Sequence, residues 1–176
     1  MLRIARRTFL ALTVATPLAG YAQREAPMAT IVRAGEDRDG THKRLGISTI
    51  DFKVTSRDSN DALLVIENVN RGRGGPARHR HLDQDEHFYV VEGEYTIEVG
   101  GATYALKAGD SLLAPRQVPH VWACTSAAGR LVITFTPPGR MEAFFQEVSK
   151  LGDMPPQDPA LWRAHGMELL GPPLKV

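Results

Sequence analysis

The sequence has a single cysteine, Cys124, among 176 residues. No intrachain disulfide can form in any compartment, so stability has to come from a buried core. It also lacks a charge surplus: 21 basic residues against 20 acidic ones leave +1. That balance offers nothing for a polyanion to hold and argues against nucleic acid as a partner. Past residue 22 there is no long apolar run, which excludes a membrane-spanning helix in the body of the chain. There is no internal repeat and no low-complexity segment, and aromatic residues make up only 7%. Glycine (16) and proline (12) are plentiful beside 43% apolar residues. Such a composition favours one all-β, turn-rich domain with a real core.

The first 22 residues stand apart. Arg3, Arg6 and Arg7 precede an apolar segment over residues 9–20, and Gly20-Tyr21-Ala22 has the small-x-small form of a cleavage site. Residues 1–22 are therefore predicted to be an export signal, with the mature chain starting at Gln23. Arg6-Arg7-Thr8-Phe9-Leu10 resembles the twin-arginine signal, whose route carries folded proteins across the bacterial inner membrane. The expected address is the periplasm or the medium, with no stable membrane insertion after signal removal. No cysteine follows the apolar segment, which argues against a lipoprotein. Losing three arginines and no acid takes the net charge to +1 − 3 = −2.

Residues 23–176 read as one domain. Residues 23–44 are polar and irregular and are predicted to form a loose arm. Alternating β-branched and apolar residues predict strands over 45–54, 63–69, 86–92, 95–99, 102–106, 111–114, 120–124 and 131–136. Gly100-Gly101 is a hairpin signal, and glycine turns separate most of the others. Short strands at regular intervals point to a sandwich or barrel. Residues 140–151 carry Met141, Phe144, Phe145 and Val148 at helical spacing. A second helix is predicted to start at Asp158-Pro159 and to stop at Gly166. The tail 167–174 is expected to be extended.

Chemistry concentrates in residues 78–89. His79 and His81 alternate, so an extended strand presents both imidazoles on one face. Glu86 follows after four residues as the next apolar run resumes. Two nitrogen donors and one hard oxygen donor make a plausible metal site, and His120 is the candidate fourth ligand. An isolated strand histidine is more often only a polar edge residue. His87 points away from Glu86 by parity, and His42 and His165 have no motif around them. His87 is expected to be structural or exposed, and His42 and His165 to lie at the surface or behind the ligands. Cys124 and Trp122 share the parity of His120, and Phe88 shares that of Glu86. A buried, inert thiol is expected for Cys124, while Trp122 and Phe88 are candidates to line a cavity. Arg71, Arg73, Arg78 and Arg80 could attract an anion, although Arg78 and Arg80 alternate with the histidines and should face solvent.

His79-x-His81, Glu86 after four residues and Gly93 after six more, followed by Gly109, Pro115 and His120 in register, make this chain similar to the small single-domain cupins. The paired motifs span about residues 74–124. Three positions depart from the pattern: Arg73 with Gly74 beside it replaces the leading glycine, Gln117 the second glycine, and Cys124 the final asparagine. The resemblance implies a six-stranded β-barrel or jelly roll, the double-stranded β-helix, with a carboxy-terminal helical extension over about 140–166 and a metal-site core over about 74–136. It also implies one divalent transition metal held by His79, His81, Glu86 and His120. The donor set admits Fe, Mn, Ni, Cu or Zn. A likeness to quercetinase-like cupins implies a metal-dependent dioxygenase for a small enol or phenol-type, flavonol-like substrate, with Glu86 as ligand and proton acceptor. The alternatives are a metal-dependent isomerase or decarboxylase of a sugar or small acid, and a non-catalytic binder of a metal or small ligand. A homodimer is possible, since small cupins often pair.

Overall fold

The alternating segments become strands, and inward apolar positions bring them together as two antiparallel sheets. The computed structural model describes residues 29–176; the expected signal over 1–22 and the start at Gln23 lie outside the described residues. In chain order the elements are β1 (Lys43–Leu45), β2 (Ser48–Val54), β3 (Leu64–Asn70), β4 (Arg78–His81), β5 (Asp85–Glu92), β6 (Glu94–Val99) and β7 (Ala102–Lys107). They continue with β8 (Ser111–Ala114), β9 (His120–Cys124), β10 (Gly129–Thr136), α1 (Met141–Val148), α2 (Pro159–Ala164) and β11 (Met167–Gly171).

One sheet runs β1-β2-β3-β10-β5-β8 and the other β11-β4-β9-β6-β7. The jelly-roll class is as expected. Of the barrel or jelly roll expected, it is the jelly roll that is found: the eleven strands among the described residues divide into sheets of six and five and do not close into a six-stranded barrel. The surplus comes from both ends of the chain: β1 and β2 extend one sheet, and β11 extends the other alongside β4. Ile66 on β3, Phe88 and Val90 on β5, Ile97 on β6 and Leu131 on β10 are all fully buried between the sheets. Burying side chains of this size contributes roughly 1.5–3 kcal/mol each.

Two further expectations need correction. The single strand predicted over 45–54 is a hairpin, β1 against β2, because the chain turns at Gly46, whose φ is 54°. The arm is not loose where it approaches β1. The buried Asp37 carboxylate accepts from Lys43 Nζ at 2.8 and 2.9 Å, from Phe52 N at 2.8 Å and from Asp39 N at 2.8 Å. Lys43 Nζ also lies 3.8 Å from the centroid of the Phe52 ring. Burial pushes the Asp37 carboxyl up, but Lys43 and the backbone N–H donors more than offset it, so its pKa lies below the ordinary value. This contribution is complete above the unfolded pKa and is lost as pH falls through the lower folded value, below about pH 4. Asp37→Ala leaves the buried Lys43 ammonium only Asp39, at 3.7 Å, and is expected to cost about 3 kcal/mol in urea unfolding. A loss under about 1 kcal/mol would mean that the pair carries little.

The carboxy-terminal extension closes one end of the sandwich. Met141, Phe144, Phe145 and Val148 form the buried face of α1, and Phe145 packs on Phe52 and Phe135 with centroids at 6.4 and 6.0 Å. The helix predicted to reach residue 151 ends at Val148 and tightens into a 3-10 turn over Ser149–Leu151. Asp158 caps α2 by accepting from Ala160 N at 2.9 Å, with Pro159 in the first turn. The extended tail then pairs as β11 with β4, placing Met167 opposite His81 and Leu169 opposite His79.

Candidate metal centre

Both sheets contribute to the centre. His79 and His81 come from β4, and His120 from the adjacent β9, where it stands opposite His79 in register. Glu86 reaches them from β5 in the facing sheet. All four are buried, none more than 5% exposed, and one donor atom from each lies within 4.8 Å of the others. The β4–β5 connection is short, so one local stretch of sequence supplies candidate ligands to both sheets. A bend precedes His120. There Gln117 takes φ 66°, a left-handed conformation in which glycine costs least. Its N–H donates to His81 O at 2.8 Å and its side-chain amide donates to Leu82 O. Those bonds hold the bend without glycine and tie it to β4. Two residues past the leading motif position, Gly75 is the glycine that the packing requires, since a Cβ there would overlap the Trp122 carbonyl.

Hydrogen bonds fix which nitrogen His79 and His120 offer. His79 Nδ1 lies 2.8 Å from Ala77 O and His120 Nδ1 lies 3.1 Å from Val118 O. A carbonyl only accepts, so both Nδ1 atoms carry protons and each Nε2 presents a lone pair. His120 Nε2 and His81 Nε2 lie 2.9 and 3.0 Å from Glu86 Oε2. His81 Nδ1 is buried without a partner; its ring is held instead by Phe135 at 5.5 Å and by stacking on His120 at 5.5 Å. A His120 lone pair facing an ionised carboxylate oxygen requires a cation between them, whether a proton or a metal, whereas no hydrogen bond at Nδ1 fixes the His81 tautomer. Donors at right angles and about 2.1 Å from a common ion lie about 3.0 Å apart. The His–Glu separations fit that spacing, and the three-nitrogen, one-carboxylate set suits a divalent transition metal.

The electrostatics agree. Burial, aided by His120 and His81, drives the His79 pKa well down and leaves that ring neutral. Burial also pushes His120 down and Glu86 up, but their mutual contact prevails: His120 lies above its ordinary value and Glu86 below the usual carboxylate range. The centre is thus built around an ionised carboxylate.

Beside it lies a cavity of about 60 Å³. His79, His81 and Glu86 form one wall, and Trp122 also lines it, as its strand parity suggested. Phe144, Met154 and Trp162 enter from the extension, and Trp162 sits 5.1 Å from His79 between ring centroids. Their cavity role was not legible in the sequence, where the apolar face of the helix was the only sign. Phe88 packs edge-on to His120 at 6.4 Å and is core. Cys124 is fully buried, with Sγ 3.5 Å from Ser126 O, and is apart from the cavity. Arg78 and Arg80 point outward into ion pairs with Glu98 and Glu168. Among the described residues, no lysine or arginine lines the cavity. His42 pairs with Asp51 at 2.5 Å, and His165 is buried against Phe144; neither reaches the cluster.

Residues 65–136 match the family model for the cupin domain. An RmlC-like cupin from Shewanella frigidimarina is 30% identical over 55% of this chain and 83% of its own, with a TM-score of 0.45. A predicted oxalate decarboxylase from Thermotoga maritima is 15% identical over 61% of this chain and 98% of its own, with a TM-score of 0.55. KdgF from a Halomonas species is 22% identical over 56% and 87%, with a TM-score of 0.48. No curated protein matches the chain.

Proposed function

The chain belongs to the cupin family, and on that premise we propose that it is an exported, metal-dependent dioxygenase for a small, largely apolar enol or phenol. His79, His81, Glu86 and His120 hold the metal in this reading. The observation that carries it is the pairing of one carboxylate among three buried imidazoles with an apolar cavity free of lysine and arginine. A divalent ion bound there supplies Lewis acidity, open coordination positions and a net single positive charge beside Glu86. A mono-anionic enolate or phenolate balances that charge. A polyol needs more hydrogen-bonding groups than this wall offers, and a dianion needs cations that it lacks.

The protein's own residues then have clear tasks. Glu86 lines the cavity, where it can accept the proton of an entering enol or phenol whose own pKa a bound metal would lower. Phe144, Trp162 and Met154 exclude water, which protects an activated substrate from side reactions. The cavity volume favours one ring or an open-chain enol over a three-ring flavonol. The reaction expected is oxidation by dioxygen, with both oxygen atoms entering the product.

The test is oxygen uptake by metal-loaded protein across a panel of catechols, β-diketones and flavonols. Uptake is expected with the small members and not with the flavonols. No uptake with any of them, together with turnover of a sugar acid under anaerobic conditions, would replace the dioxygenase by the isomerase or decarboxylase reading.

A further inference from the structure

Two polar side chains in the cavity wall lie outside the ligand set. Asn68, on β3, is 2% exposed and faces inward on the same side as Leu64 and Ile66, where alternation favours an apolar residue. It lines the same cavity as His79, His81 and Glu86, and its Oδ1 is buried with no hydrogen-bond partner. A buried amide oxygen without a partner is destabilising where a leucine of similar size is not. A group entering the cavity accounts for the choice.

Ser48 stands beside it. In the β2–β3 register Ser48 pairs with Asn70 and Ile50 with Asn68, so Ser48 and Asn68 are diagonal neighbours on the inner face. Tyr95 OH donates to Asn70 Oδ1 at 2.7 Å, and Asn70 Nδ2 donates to Ser48 Oγ at 2.8 Å. Burial pushes the Tyr95 phenol up, so it stays protonated and donates. The chain runs one way and leaves the Ser48 proton for the cavity that Ser48 lines.

We propose that Ser48 and Asn68 form a neutral subsite for a hydroxyl group on the substrate, which accepts from Ser48 Oγ while donating to Asn68 Oδ1. It rests on the reading of this cavity as the substrate site, and it adds the specificity: an uncharged molecule with a metal-binding enol at one end and a hydroxyl at the other. A site with unsatisfied polar groups discriminates strongly against an analogue that lacks their partner.

The experiment uses cobalt(II)-loaded full-length protein and a matched pair of hydroxypyranones, kojic acid and allomaltol. They share the enol-carbonyl ring, and a hydroxymethyl in the first is a methyl in the second. Titration followed by the cobalt d–d bands is expected to give about tenfold tighter binding of kojic acid. Asn68→Leu is expected to bring the two within about twofold while keeping cobalt stoichiometry and allomaltol affinity. It should also raise the Tm of the ligand-free protein, which loss of a merely structural asparagine would lower. Should Asn68→Leu fail to yield soluble protein, Ser48→Ala carries the same comparison with the same expected loss of preference. Equal binding of both probes by the wild type, binding of neither, or a preference that survives the substitution overturns the subsite. Wild-type protein that takes up no cobalt overturns the metal centre instead.

Discussion

Glu86→Gln is expected to reduce bound divalent metal from about one ion per chain to less than about a tenth of that. The change is nearly isosteric, so a loss would not come from a cavity. It acts through lone pairs and charge. His79 and His120 commit their Nδ1 protons to backbone carbonyls, and the Nε2 atoms of His120 and His81 face one carboxylate oxygen at 2.9 and 3.0 Å. Glutamine places an N–H₂ donor where that oxygen lay, and its two protons can serve the His120 lone pair and that of His81 in its Nδ1–H tautomer. The anion that draws a dication into a buried site is gone, and the site is content without one. Elemental analysis after dialysis against each candidate metal provides the check, with far-ultraviolet circular dichroism to show the fold retained. Full metal occupancy in the variant would move the site away from Glu86.

Chelation is expected to lower the Tm of the wild type by about 8–16 °C. Metal at about a thousand times its dissociation constant stabilises the folded state by about 4 kcal/mol. For a chain of this length each kcal/mol moves the midpoint by about 2–4 °C. The effect should be large because a metal held by these residues would tie β4 and β9 of one sheet to β5 of the other. The two experiments are linked. Glu86→Gln protein should melt at the same temperature with and without chelator, since its amide already satisfies the imidazoles. An equal chelator shift in both proteins would place the responsible ion elsewhere.

The ligand cluster was legible because it is written locally. His79 and His81 need only strand periodicity to share a face, and Glu86 follows them on the next strand. The strands of the core were also readable, with β8 and β9 starting and ending at the expected residues. What the sequence hid depends on long-range register. Asn68 reads as one polar residue in an apolar strand, and only the β2–β3 pairing brings Ser48 beside it. Asp37 and Lys43 read as ordinary charges in a polar arm until both are found buried on Phe52. The tail was legible as extended, but nothing local says that Leu169 will stand against His79. Gln117 looked like a broken motif, and its bonds to His81 and Leu82 keep the bend that glycine would otherwise supply.

Anomalous diffraction from a metal-loaded crystal tests whether a single metal is held between the two sheets. One strong peak is expected about 2.0–2.3 Å from Nε2 of His79, His81 and His120 and from a carboxylate oxygen of Glu86. A peak bound by other residues, or none in a crystal grown with excess metal, would contradict it.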